Sequence, residues 1–285
     1  MGNRNRPMAE KFQSPAANVI RRTGNEIFIR PHRLLRPYIA HYTVTFPCSS
    51  PAVDTLTLIP DASGCMVFTC RENRLDGLFW GATTKAAIVE NDVDKINFRL
   101  FVEFKPGGAH RLTGHPQSEL VDLTLDTDDY SLDLSHAVKS RMESAGDLQE
   151  LVQGLDGLFL SMLIKTDVSD PAARIAFSMQ KWNGTMSVRE LSGRTFYSER
   201  QLNRIFLRSL GINVKTYSRL LRVNYAVGMM KCHGKAFTKQ LYDMGYFDQA
   251  HFIHDFKSIC GVTPTDYLKN LSAFYNEECK FDRIL

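Results

Sequence analysis

The segments FLRSLGINVKTY (residues 206–217) and FKSICGVTPTDY (residues 256–267) are two copies of one pattern, and they decide the fold of the C-terminal third of the chain. Phenylalanine, glycine, an aliphatic residue and tyrosine recur in both copies at an offset of 50 residues. Leu202 and Phe252 extend the match four positions upstream. Several matches at one fixed offset predict a single supersecondary unit that is used twice.

Each copy predicts a helix that is ended by glycine. The apolar residues fall on one helical face, and Gly211 and Gly261 follow as residues suited to a left-handed C-terminal cap. Upstream, Ser187-x-x-Glu190 has the form of a capping box, which begins a short helix, and Ser198 caps the next one. A helix, a tight turn and a second helix form the arrangement of a DNA-binding helix-turn-helix unit.

The second helix of the first unit turns polar side chains away from its apolar face. Arg200, Asn203, Arg204 and Arg208 occupy this outer face. Arginine matches the O6 and N7 acceptors of guanine, and asparagine matches the edge of adenine. We therefore predict that this helix contacts bases in the major groove.

An amphipathic segment from Val214 to about Lys231 connects the two copies, and Gly234 is expected to end it. A helix of that length spans about 27 Å. Successive major-groove faces lie about 34 Å apart. A rigid connector of this length would let one chain place two helices in adjacent grooves on one side of a duplex.

The charge of the chain is distributed unevenly. Residues 171–285 contain 17 Lys and Arg and 9 Asp and Glu, a net charge of +8, whereas residues 1–170 contain 18 and 22, a net charge of −4. A basic part joined to a mildly acidic part is typical of a nucleic-acid module attached to another domain. The six cysteines form no Cys-x-x-Cys pair, and neither a secretory signal nor a bilayer-length apolar segment is visible. We therefore predict a cytoplasmic protein with free thiols and no membrane segment.

The N-terminal part has a different pattern. Short segments rich in β-branched and aromatic residues alternate with turn residues over 26–104, which predicts a small barrel or sandwich. Helical patterns follow at 132–144 and 148–164, and the leucine stripe of the second is either packed on its own domain or part of a dimer interface. We predict a flexible tail over 1–24, an effector-sensing or dimerisation domain over 25–165, a DNA-binding domain over 171–271 and a C-terminal tail over 272–285.

Residues 171–270 resemble the AraC/XylS family of bacterial transcription regulators. The resemblance depends on Ser198, Leu202, Arg204, Phe206, Gly211, Tyr217, Arg222 and Ala226, and then on GYFDQAHFIHDFK (245–257) and GVTPTDY (261–267). It implies two helix-turn-helix units joined by a helix, with recognition helices over about 199–210 and 248–260. The base-contacting residues that it implies are Arg200, Asn203, Arg204, Gln249, Ala250 and His254, and the phosphate-contacting residues are Ser198, Arg208 and Lys257.

The chain departs from the family pattern at several of these positions. Phe196 stands in the first turn, where the family often has glycine. His254 replaces the usual arginine, and Ala250 offers no hydrogen-bonding group toward a base. The second unit is therefore expected to make mostly phosphate contacts, which fix position without specifying sequence.

The N-terminal part is similar to sensor domains of some family members, through LIPD (58–61), GC (64–65), WG (80–81) and FKPGG (104–108). This similarity implies a cupin-like barrel. The expected fold class is thus α+β, with an N-terminal cupin-like small β-barrel with helices and a C-terminal all-α domain of two helix-turn-helix units joined by a helix. Aromatic residues that line either an effector pocket or the core are Tyr42, Phe46, Phe68 and Trp80.

The main alternative is a cupin-type enzyme fused to a DNA-binding module. The histidines of the N-terminal part are scattered without a His-x-His pair, and Pro47-Cys48-Ser49-Ser50 lacks the histidine that an alkyl-transferring cysteine needs. We therefore expect no catalytic residue, no metal and no cofactor. The expected function is sequence-specific transcription regulation, most simply activation. The expected partners are double-stranded promoter DNA, RNA polymerase and either a small-molecule effector or a second copy of the chain.

Overall fold

The fold combines an N-terminal part built on β-sheets with a helical C-terminal part, as the α+β prediction requires. The computed structural model describes residues 7–48, 53–72, 74–166, 171–233 and 244–275. Its strands are β1 Val19–Arg22, β2 Glu26–Ile29, β3 Ile39–Thr45, β4 Thr55–Leu58, β5 Cys65–Arg71, β6 Arg74–Trp80, β7 Ala87–Glu90, β8 Phe98–Phe104, β9 Thr124–Asp126 and β10 Phe274–Tyr275.

Seven strands form one antiparallel sheet in the order β1-β2-β3-β8-β5-β6-β9. Strand β3, an interior strand between β2 and β8, is buried along almost its whole length. Its side chains are covered on both faces of the sheet, so His41, Thr43 and Thr45 are buried as well as Tyr42 and Val44. The side chains of the sheet pack against helices α2 Gly108–Thr113, α3 Thr127–Ser144 and α4 Leu148–Lys165 in one apolar core.

The C-terminal part consists of helices around a second core. They are α5 Ala172–Lys181, α6 Val188–Thr195, α7 Glu199–Leu210, α8 Val214–His233, α9 Gln249–Cys260 and α10 Pro264–Lys269. The connector was predicted over 214–231 and is α8, although Gly234, its expected stop, lies outside the described residues. The segment 234–243, where the second unit would have its first helix, also lies outside them.

Two segments predicted as tails are ordered where the structure describes them. Helix α1 (Met8–Lys11) and β1 precede residue 25, and Phe12 is fully buried with its ring 5.1 Å from that of Phe98. A single aromatic residue in a polar stretch has no periodicity, so its burial depends on a distant partner. At the other end, residues 271–273 form a 3₁₀ turn before β10, whereas residues 276–285 lie outside the described part.

The second sheet joins the two parts of the chain. Its order is β10-β4-β7, with β10 parallel to β4 and β7 antiparallel to β4. The backbone N–H of Ile59 also donates to the carbonyl of Tyr275 at 2.9 Å. Residues from the end of the chain thus complete a sheet that belongs to the N-terminal part.

Three of the four predicted pocket residues lie in the core. Tyr42 and Phe68 are 0% exposed and Phe46 is 7% exposed, whereas Trp80 is half-buried. The hydroxyl of Tyr42 donates to Asp156 Oδ1 at 3.0 Å and so ties β3 to α4. These contacts support the core interpretation, which was left open above, for Tyr42, Phe46 and Phe68.

Helix length and hydropathy determine whether a helix could span a bilayer. Across the described ranges, no helix combines enough residues with enough apolar character to span a bilayer.

Candidate nucleic-acid interface

Helix α7 begins and ends where its local sequence directs. Ser198 and Gln201 form a reciprocal capping box, in which Gln201 N donates to Ser198 Oγ at 3.3 Å and Ser198 N donates to Gln201 Oε1 at 2.8 Å. Gly211 follows with a φ of 80°, a left-handed conformation that glycine adopts without strain. The Ser198 hydroxyl, a predicted phosphate contact, is thus engaged in capping, although its residue is exposed.

Helix α7 separates an apolar face from a basic one. Leu202, Phe206 and Leu210 are at most 1% exposed. Arg200, Arg204 and Arg208, one helical turn apart, are all exposed, and Arg208 lies in the last turn. Three cations along one face of a helix suit a polyanion, because each can approach a phosphate or a guanine edge.

Asn203 differs from the other predicted base-contacting residues of α7. Its Nδ2 donates to the carbonyl of Glu199 at 3.1 Å, and its Oδ1 accepts from the backbone N–H of Val214 at 3.2 Å. The side chain is half-buried. Its amide therefore joins α7 to the first residue of α8, a tertiary contact that helical spacing alone does not reveal.

Helix α9 repeats the design of α7. Asp248 caps it by accepting from His251 N at 2.7 Å, and Gly261 ends it with a φ of 77°. Phe252 and Phe256 are buried on the inner face. The residues predicted to contact DNA are all exposed: Gln249, Ala250, His254 and Lys257.

A buried ionic cluster, which the sequence analysis did not identify, holds α9 against α8. Asp255 is 4% exposed and accepts from Arg219 Nε at 2.9 Å. Arg222 Nη2 lies 3.7 Å from its other carboxylate oxygen. Burial, with the nearby Asp255 carboxylate as a smaller cause, raises the pKa of Tyr246 to about 12, so this neighbour remains neutral at physiological pH. The sequence feature that indicates this cluster is an aspartate on the otherwise apolar face of α9.

The C-terminal ends of both helices contact the N-terminal part. Gln117 N donates to the carbonyl of Arg208 at the end of α7, at 2.8 Å. Ala86 N donates to the carbonyl of Ile259 at the end of α9, at 2.7 Å.

The two loops that make these contacts are joined to each other. The backbone N–H and the hydroxyl of Thr84 both donate to the carboxylate of Asp122, each at 2.6 Å. We call residues 82–86 and 117–122, joined in this way, the two-loop bridge. It links the end of α7 to the end of α9 through the N-terminal part.

Further contacts strengthen this junction. Ile59 and Ala62 from the N-terminal part are buried in the C-terminal core. Asn224 of α8 donates from Nδ2 to the carbonyl of Pro60 at 2.7 Å. A Cβ atom on Gly211 would lie 2.6 Å from the carbonyl oxygen of Gln117, so the close approach of α7 to the bridge requires glycine. The two parts therefore pack tightly where the recognition helices end.

The described residues contain no group of three or more His, Cys, Asp and Glu side chains positioned to hold a metal ion.

Comparisons with known proteins give one family match in each part of the chain. The family described as "Helix-turn-helix domain" matches residues 191–270, and "Domain of unknown function (DUF6597)" matches residues 27–126. A curated relative, the uncharacterized HTH-type transcriptional regulator YidL of Escherichia coli (strain K12), is 32% identical over 91 residues. That alignment covers 32% of this chain and 29% of YidL, so this chain aligns with less than a third of the relative's length.

Solved structures of ToxT from Vibrio cholerae align with most of this chain at low similarity. ToxT from strain O395 is 16% identical, with a TM-score of 0.41 over 76% of this chain and 93% of that chain. Another ToxT structure is 14% identical, with a TM-score of 0.41 over 80% of this chain and 98% of that chain. Similarity at this level supports no inference about a ligand or a partner. Residues 191–270, by contrast, belong to the AraC-type helix-turn-helix domain family.

Proposed function

We propose that this protein is a sequence-specific DNA-binding transcription regulator that docks α7 and α9 on promoter DNA. The observation that supports this most directly is the exposed, basic outer face of α7 on a capped helix inside a helix-turn-helix domain. The relative YidL, named as an HTH-type transcriptional regulator, supports the regulatory role. We propose that the protein activates transcription by recruiting or positioning RNA polymerase.

In this proposal the two recognition helices make different contacts with DNA. Arg200 and Arg204 contact base edges, since a guanidinium can donate two hydrogen bonds to guanine. Asn203 positions α7 on α8, because its amide is engaged within the chain. In α9, Gln249 and His254 are the groups able to contact bases, Ala250 makes at most apolar contact, and Lys257 contacts phosphate. The Ser198 cap presents the backbone N–H groups of α7 to a phosphate.

The N-terminal part biases docking through the two-loop bridge. Because the bridge contacts the ends of both recognition helices, a change in its arrangement alters their relative position. A small-molecule effector or a second copy of the chain shifts DNA affinity only if it binds two such arrangements unequally. Either input would act at the junction.

The test of the proposed function is selection of binding sites from random duplexes by the purified full chain. The selection is repeated in the presence of a metabolite extract, which reports an effector. Enrichment of one motif supports the proposal. Absence of sequence preference contradicts it. Consumption of a metabolite without selective DNA binding also contradicts it and favours an enzyme.

Arg208→Ala is expected to weaken selected and unselected duplexes alike, by roughly two- to fivefold at moderate salt. The lost contact is to phosphate, which is the same in every sequence. The slope of log Kd against log salt concentration should fall by about 1. Arg74→Ala, which removes an exposed arginine on β6, is the charge-matched control. A change in the selected motif with Arg208→Ala would contradict the phosphate role.

Asp122→Gly is expected to relax the spacing between the two DNA sub-sites. Asp122 has a φ of 57°, so glycine removes its carboxylate without adding backbone strain. The variant loses the partly exposed hydrogen bonds to Thr84. The increase in Kd that is caused by adding or deleting one base pair between the sub-sites should therefore become about fivefold smaller. The measurement is Kd on duplexes of altered spacing.

The matched control for this variant is Glu72→Gly. Glu72 is also an exposed acid with a positive φ, 47°, but it lies in the turn after β5, away from the bridge. An equal effect of both variants on spacing would show that the bridge does not set the geometry of the recognition helices.

A further inference from the structure

Two phenylalanines are the most exposed large apolar side chains in the described part of the chain. Phe196 is 96% exposed and Phe247 is 84% exposed. Phe196 lies two residues before Ser198, the N-cap of α7, and Phe247 lies directly before Asp248, the N-cap of α9. Single exposed apolar residues are normal on a protein surface. Both of these rings, however, lie next to the entrance of a recognition helix, Phe196 two residues and Phe247 one residue before the N-cap.

The conformation of Phe196 adds a second observation. Its φ of 60° and ψ of 17° place it in the left-handed region, which is unfavourable for a bulky side chain and favours glycine or asparagine. The second unit uses Gly245, with a φ of 77°, for its left-handed residue. Since the Phe196 ring is almost fully exposed, packing within the chain does not account for phenylalanine at this position.

We infer that Phe196 and Phe247 contact DNA by packing their rings on the deoxyribose backbone at the edges of the two grooves. This inference rests on the proposed function. In helix-turn-helix docking the first helix crosses the backbone and the N-terminal end of the second helix enters the major groove. The turn between them therefore lies over the groove edge, where sugar carbons offer an apolar surface.

The neighbouring charges favour this placement. Arg200, in the first turn of α7, is exposed on the same N-terminal end as Phe196. A cation beside an exposed ring can approach a phosphate while the ring covers the adjoining sugar. Burial of part of each ring upon binding supplies affinity that does not depend on base sequence.

The test measures Kd of the full chain for a duplex that carries its selected motif, at several salt concentrations. Phe196→Asn removes the ring and introduces asparagine, which tolerates the left-handed conformation. We expect Phe196→Asn and Phe247→Ala each to raise Kd by about three- to tenfold, with an unchanged salt slope because no charge is lost. Phe196→Tyr, which keeps the ring, should stay within about twofold of the unmodified protein.

The control for general loss of apolar surface is Ile88→Ala on β7. Ile88 is 75% exposed but lies on β7, outside both recognition helices and the turns that precede them, so its removal should leave Kd unchanged. Thermal unfolding checks the fold: Phe196→Asn should match or exceed the unmodified protein in Tm, because it relieves an unfavourable φ.

The outcomes separate the inference from the function on which it rests. Unchanged Kd in both ring-removing variants, with selective binding by the unmodified protein, overturns the inference and leaves the proposed function in place. Unchanged Kd with reduced polymerase-dependent transcription overturns it too, and assigns the rings to a protein partner. Absence of selective binding by the unmodified protein overturns the proposed function and the inference together.

Discussion

Asp255→Ala is expected to lower the free energy of unfolding by about 3 kcal/mol, because it leaves two arginines without their shared buried carboxylate. This loss of stability should be at the lower end of the range for a broken buried ion pair, because the Arg219 side chain is 34% exposed and retains access to water. A loss of this size should lower Tm by about 10 °C or more in a domain of this length. Circular dichroism during heating and urea titration measures it.

The matched control for Asp255→Ala is an exposed ion pair. Asp76 lies 3.0 Å from Arg74 on β6, and its side chain is 46% exposed. Asp76→Ala should cost less than about 1 kcal/mol, as solvent-exposed pairs usually do. If both variants lost the same stability, the ionic cluster between α8 and α9 would have no special structural role.

Arg204→Ala is expected to raise Kd for the selected motif by about 5- to 150-fold, equivalent to about 1–3 kcal/mol. The guanidinium is exposed in the middle of the basic face of α7, and a guanidinium can donate two hydrogen bonds to one guanine. Loss of that contact should relax preference at one base pair and leave the other positions of the motif unchanged.

Site selection with the Arg204→Ala variant checks that expectation directly. Arg74→Ala serves as the control for removing one positive charge far from the recognition helices. A motif that is identical for Arg204→Ala and the unmodified protein would contradict base contact by Arg204, even if Kd rose. The separate behaviour of Arg204 and Arg208 then distinguishes base contact from phosphate contact on a single helix.

The elements that could be predicted are those with local signals at both ends. The predicted bounds of the first recognition helix coincide with α7, because the capping box at Ser198 and the left-handed Gly211 are both visible in the sequence. The exposure of the three arginines follows from helical spacing in the same way. By contrast, β6 has no clear strand pattern in its sequence, because Gly77 interrupts its centre and charged residues begin it.

The features that could not be predicted depend on partners distant in sequence. The hydrogen bond from the Val214 backbone N–H to Asn203 is one of them, because the two residues are 11 positions apart and lie on different helices. The Pro60 and Gly107 motifs were interpreted as marks of a sensor domain, and they lie at the junction with the helical part: Pro60 accepts from Asn224, and a Cβ on Gly107 would be 3.3 Å from the Ala173 backbone nitrogen. No periodicity in one segment specifies which distant segment it will meet.

The strand β10 has a consequence for how the protein can be divided. Ribosomal synthesis delivers β4 and β7 long before residues 274–275, so this sheet acquires its third strand only after the helices α2–α10 have been synthesised. A fragment cut after residue 166 would expose the edge of β4 that β10 covers, together with Ile59 and Ala62. Open strand edges promote association between chains. Solubility of the separated halves is therefore a poor guide to the behaviour of the intact polypeptide.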